Sequence, residues 1–184
     1  MDSSDPSYNY LVNQIIIQGI GYLALLFVLL SFQKSKRVNI LLLMLTGLVI
    51  FVIHYSLLHA WTGALMNLVE AGVVFVSYKE ETDLWAKQKF WPYVFICLYV
   101  LAGIVTAKSI VDFLPIVAQI FGALAVWQKS PKAIRFLMLL PRPLWFTYNF
   151  IVGSYAGMTG EILILTSVLI GIFRFDILKQ KEKS

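Results

Sequence analysis

Residues 14–57 read QIIIQGIGYLALLFVLLSFQKSKRVNILLLMLTGLVIFVIHYSL. Two apolar runs, about 14–32 and 39–57, flank a basic turn that holds Lys34, Lys36 and Arg37. Each run approaches the roughly 20 residues that cross a bilayer core as a helix. A turn this short makes the two helices antiparallel, so the stretch predicts a transmembrane hairpin. The alternation of apolar run and short polar link continues over about 61–78, 91–107, 111–127, 133–152 and 157–174. The expected fold is an all-α membrane protein with seven transmembrane helices. Its expected parts are an external tail 1–13, a first three-helix bundle 14–78 and a cytoplasmic linker 79–90. A linker helix 91–107, a second three-helix bundle 111–174 and a basic cytoplasmic tail 175–184 follow.

Composition agrees. Of 184 residues, 59% are hydrophobic and 14% charged, with a mean hydropathy of +0.78. A soluble domain carries about 25% charged residues, so a soluble globular protein and a disordered chain are both excluded. The one cysteine, Cys97, excludes an internal disulfide framework and a Cys-rich zinc site, and it reads as a buried apolar filler on the linker helix. His54 and His59 are too few for a metal cluster, so neither metal nor cofactor is expected. The chain lacks a phosphate-binding Walker loop, a Gly-rich dinucleotide turn, HExxH and GxSxG, so an enzyme is not expected. Met1 to Asn13 carries Asp2 and Asp5 but no basic residue, unlike a secretory signal.

The charges set the orientation. Seven spans place Lys34, Lys36, Arg37, Lys79, Lys87, Lys89, Lys129, Lys132, Arg135, Arg174, Lys179, Lys181 and Lys183 on one side, 13 of the 15 basic residues. Lys108 falls on the other side and Arg142 inside a span. Cytoplasmic loops carry the Lys/Arg excess, so the N-terminus is expected outside and the C-terminus inside. The pI near 9.3 then reflects topology, and no nucleic-acid partner is expected. The expected partners are the lipid bilayer and a small polar solute of unknown identity; homo-oligomerisation stays open.

The fourth helix divides two similar halves. Phe32-Gln33-Lys34-Ser35-Lys36 returns as Trp127-Gln128-Lys129-Ser130-Pro131-Lys132, and Leu43-Met44-Leu45 as Leu137-Met138-Leu139. At an offset of 94, Phe51 to Tyr55 matches Trp145 to Asn149, Trp61-Thr62-Gly63 matches Tyr155-Ala156-Gly157, Gly47 meets Pro141 and Asn67 meets Glu161. One dividing helix makes the halves parallel repeats related by an axis along the membrane normal, an arrangement that transporters use.

In this 3+1+3 plan with its outside N-terminus, the chain resembles the SWEET and SemiSWEET sugar transporters of the PQ-loop group. It more closely resembles the YgjV-type bacterial inner membrane protein family. That likeness rests on Gln33-Lys34-Ser35-Lys36, Asn67, Trp145-Phe146-Thr147-Tyr148-Asn149, Glu161 and Arg174-Phe175-Asp176, and it spans about residues 14–177. It implies a multi-pass protein of the bacterial inner membrane. Against the SWEET pattern, the Pro-Gln dipeptide is replaced by Phe32-Gln33 and Trp127-Gln128, and prolines at depth occur only at Pro141 and Pro143.

Ionisable residues at membrane depth are costly and mark functional sites. Glu70, Arg142 and Glu161 qualify. At 1.5 Å per residue, they lie about 12, 14 and 20 Å from the cytoplasmic side. Arg142 is expected to pair with Glu70 or Glu161, either as a plain lock between helices or as part of a solute site. His54, Asn67 and Asn149 project at the outer third. The SWEET resemblance places Asn67 in a solute pocket, facing Glu161 where a second asparagine stands in that family. Trp145 and Tyr148 lie deep enough to stack on a ligand. Pro141-Arg142-Pro143 predicts a break in helix six, because two prolines remove two backbone donors. Two functions follow: a transporter or facilitator of a small polar solute, with its site between the halves, or a non-transporting receptor or scaffold on a SWEET-like fold.

Overall fold

A computed structural model describes residues 6–126, 128 and 130–178. Among the described residues the chain is helical, without strands. Helix α1 spans Pro6–Ser31, α2 Arg37–Leu57, α3 Trp61–Lys79, α4 Trp91–Thr106, α5 Phe113–Val126, α6 Pro131–Leu139, α7 Pro141–Val152 and α8 Tyr155–Ile172. A π-helical stretch, Phe173–Leu178, continues α8. Among the described residues, three segments are long and apolar enough to cross a membrane: Tyr10–Ser31, Arg37–Leu57 and Tyr155–Ile172. Trp91–Thr106 and Ile110–Ala125 are shorter apolar helices.

Two boundaries differ from the sequence reading. The expected tail 1–13 is helical from Pro6, because nothing between Pro6 and Gln14 breaks a helix and proline suits a first turn. The expected helix 133–152 forms as α6 and α7, separated at Leu140. Pro141 has no N–H for the carbonyl of Leu137, and the amide of Leu140 takes that carbonyl instead, at 3.3 Å. The linker 79–90 contains a 3₁₀ turn, Leu84–Lys87. Within the expected C-terminal tail 175–184, the basic residues Lys179, Lys181 and Lys183 lie outside the described residues, as do the side chains of Trp127 and Lys129.

Helix α2 lies between α1 and α3, and the α6–α7 pair lies between α5 and α8. The two sets meet where α1 touches α8 and α3 touches α5, and α4 covers the α3–α5 seam. Gly103 of α4 permits that contact: a Cβ there would fall 2.3 Å from Cδ1 of Ile116. Apolar side chains such as Ile15 (71% exposed), Ile104 (71%) and Phe150 (68%) point away from the protein. In water this would be a liability, but in lipid it is the expected surface, since lipid tails are as apolar as leucine. Cys97 is exposed on α4, which corrects the expectation of a buried filler.

The links α2–α3 and α7–α8 are built alike. His59 (φ 56°) and Gly153 (φ 74°), 94 positions apart, are both left-handed. The amide of Ala60 donates to Tyr55 O at 2.9 Å, and that of Ser154 to Asn149 O at 2.8 Å. The amides of Ala64 and Met158 likewise reach Ala60 O and Ser154 O, both at 3.0 Å.

Candidate functional site

Polar groups gather in two places. The first lies at the end of the bundle formed by the α2–α3 and α7–α8 links. His54, Thr62, Asn149 and Ser154 are buried there. Tyr55 donates its hydroxyl to Asn149 Oδ1 at 2.7 Å. The Gly63 amide donates to the Tyr148 hydroxyl at 2.8 Å. His54 shares hydrogen bonds with Ser154 Oγ and Ile17 O, both at 2.9 Å. Gln18 of α1 bridges to the start of α8, donating to Gly153 O at 2.7 Å and accepting from the Tyr155 amide at 3.1 Å. At the other seam, Thr62 of α3 donates to Asp112 at 3.1 Å. Gln18 and Asp112 are themselves 94 apart in sequence.

Small residues make this end tight. A Cβ on Gly63 would lie 2.9 Å from the Tyr148 ring, and one on Gly157 would lie 2.6 Å from the Asn149 amide carbon. Trp145 and Tyr148 meet edge to face at 5.7 Å, and both lie against Tyr55. These rings therefore pack on one another. His54, Asn149, Trp145 and Tyr148, expected as ligand contacts, form a closed layer and border neither of the cavities described below.

The second place is a cavity of about 430 Å³ between α3, α4, α5 and the α6–α7 break. It opens at the exposed residues Glu80, Lys87 and Lys89 and runs inward to Glu70, Tyr99 and Arg142. Tyr99 donates its hydroxyl to the Glu70 carboxylate. Gln119 adds a polar amide, and Trp91 and Phe95, stacked at 5.7 Å, line the apolar wall. Arg142 donates from Nη1 to Glu161 Oε2 at 2.9 Å, so Glu161 is its ion-pair partner. Both side chains are largely buried, and Arg142 Nε has no hydrogen-bond partner among the described residues. On its other side, this pair borders a smaller, mainly apolar cavity of about 290 Å³ beside Phe146 and Leu165. Asn67 donates back to Gly63 O of its own helix at 2.8 Å.

Ion pairs brace the cavity's mouth end. Arg37 bonds to Glu80 at 3.2 Å and to Glu81. Arg135 of α6 grips Asp176 with two bonds at 2.7 and 2.8 Å, and these hold the Asp176 carboxyl below the ordinary carboxylate range. Among the described residues, no three His, Cys, Asp or Glu side chains gather as a metal site.

Sequence reasoning therefore found Glu70, Arg142 and Glu161, which converge. It missed Tyr99, whose helix α4 has no counterpart in the repeat expected from the sequence, so no internal comparison could mark it. It also missed Tyr55 as a polar anchor, although the offset of 94 pairs it with Asn149.

Apolar helices of membrane length enclosing buried charges define an integral membrane protein. A family model described as a bacterial inner membrane protein, Imp-YgjV, matches residues 15–179. The chain belongs to that family and resides in the bacterial inner membrane. No curated protein and no solved structure matches it.

Proposed function

We propose that the chain is a transporter or facilitator of a small polar solute, that it crosses the membrane seven times with its N-terminus outside, and that its halves are parallel SWEET-like repeats. The observation that carries the reading is the cavity itself. Its polar inner end is lined from both halves, by Glu70 of α3 and by Gln119 and Arg142 of α5 and α7. Its mouth lies among the basic loops assigned to the cytoplasm. The opposite end is sealed by bonds that cross between the halves. A molecule open on one side and latched on the other has the form that the inward-facing state of an alternating cycle requires, which supports the reading.

The repeat gains support from Tyr55 and Asn149. They occupy equivalent positions yet bond to one another at 2.7 Å. Equivalent points related by a two-fold axis meet only on that axis. Gln18 and Asp112 then act as reciprocal latches across the two seams.

The experiment uses Gly122→Cys in a Cys97→Ser background. Gly122 lines the cavity, and a Cβ there would meet nothing nearer than Gln119 Oε1 at 3.8 Å, an ordinary contact. A small membrane-impermeant thiol reagent should label Gly122→Cys quickly in inside-out vesicles and slowly in intact cells. Weakening the outer latch with Asn149→Ala should raise the rate in intact cells. Labelling confined to inside-out vesicles, with the latch intact or broken, would identify a receptor or scaffold and sink the transport reading.

A further inference from the structure

With Glu70 and Glu161 both ionised, the inner end of the cavity carries one unbalanced negative charge. Arg142 is neutralised by Glu161 at 2.9 Å. Glu70 has no ion-pair partner of its own among the described residues and accepts a hydrogen bond from the Tyr99 hydroxyl. Two carboxylates thus face one guanidinium, in a site flanked by apolar helices. Net charge at membrane depth is costly and is retained where a function uses it. The mouth does not cancel it. Glu80 is paired with Arg37, and ten residues of α3 put the mouth about 15 Å along the helix from Glu70. Lys87 and Lys89, exposed at that mouth, are separated from Glu70 by the length of the cavity.

The walls between are aromatic. Trp91 and Phe95 lie stacked along α4, one turn apart, and Tyr99 follows one turn deeper. An aromatic face attracts a cation, and the attraction strengthens when the cation is desolvated. The volume of about 430 Å³ is within the range of small-molecule sites.

Resting on the transport reading above, we infer that Glu70, oriented by Tyr99, is a subsite for the ammonium group of a small amine-bearing solute, with the Trp91–Phe95 wall covering its carbon skeleton. The ammonium supplies the positive charge that the inner end lacks and charge-assisted donors for the carboxylate.

Three probes share one carbon skeleton and differ in charge: n-butylammonium, n-butanol and butyrate. Each is titrated into the purified full chain in detergent, at constant ionic strength, with tryptophan fluorescence and calorimetry as readouts. Saturable binding of n-butylammonium alone is expected. Glu70→Gln should weaken it by at least roughly tenfold, as expected for loss of a charge-assisted bond, and Glu70→Asp should weaken it less. Tyr99→Phe keeps the charge and removes the orienting bond, so it should weaken binding by a smaller factor. Should Glu70→Gln fail to fold, as judged by size exclusion and thermal melting, Tyr99→Phe decides: unchanged affinity overturns the inference. Butyrate binding more tightly than n-butylammonium, or n-butylammonium binding equally well to folded Glu70→Gln, also overturns it. Absence of any saturable binding, while Gly122→Cys still labels from both sides, overturns the ammonium subsite and leaves the transport reading standing.

Discussion

Arg142 illustrates how a single side chain settles its surroundings. A guanidinium cannot shed its proton at any accessible pH, and at membrane depth an unpaired arginine costs at least about 2.5 kcal/mol on insertion scales. Sequence depth left Glu70 and Glu161 both within reach. The 2.9 Å bond selects Glu161, 19 residues away on α8, the next helix in the chain. Breaking a buried pair from one side leaves the other charge stranded, at a cost of about 3–5 kcal/mol, whereas removing both charges costs far less. Arg142→Met and Glu161→Gln should therefore each lower the thermal midpoint in detergent, and the double variant should recover much of the loss. Arg142→Met combined with Glu70→Gln should show no comparable rescue. Strict additivity in the first pair would show that the contact carries no coupling energy.

At the scale of elements, the α2–α3 and α7–α8 links share one backbone and place different residues at the left-handed position. A left-handed residue with a Cβ is strained by roughly 1–2 kcal/mol, and glycine adopts that conformation freely. Gly153 meets the demand with no side chain, whereas His59 meets it with a ring set against Trp61 at 6.3 Å. Gly153→Ala should therefore destabilise the protein by about 1 kcal/mol or more. His59→Gly should be close to neutral, because relief of strain offsets the looser unfolded chain and the lost ring contact. Thermal unfolding of the two variants in one detergent checks this, and equal losses would contradict it. The α6–α7 break belongs to the same scale. Pro141 and Pro143 dictate it locally, and it places Arg142 in the first turn of α7, between the two cavities.

For the whole molecule, the proposed orientation rests on seven spans that put 13 basic residues on one side and Lys108 on the other. In a Cys97→Ser background, cysteines at Ser35 and Thr82 should escape an impermeant thiol reagent applied to intact cells, and one at Lys108 should react. Cys97 must be replaced first because it is exposed. Labelling of Thr82→Cys from outside would overturn the seven-span topology.

The sequence by itself determined the helical membrane class, the family and the positions of the costly charges. Each of these follows from quantities local to the chain: the length of an apolar run, short motifs in the order of the chain, and a charge within a run. The offset of 94 was equally legible, since it needs only the chain compared with itself. The tertiary structure alone decided which polar residues face open space. His54, Asn149, Trp145 and Tyr148 carry the same chemical promise as Glu70 and Arg142, yet they close upon one another. The partnership of Glu70 with Tyr99 also needed the fold, because α4 lies outside the expected repeat and its packing against α3 is written in no local pattern. Whether a buried polar group is satisfied by the protein or left to a ligand depends on neighbours distant in sequence, and only packing brings those neighbours together.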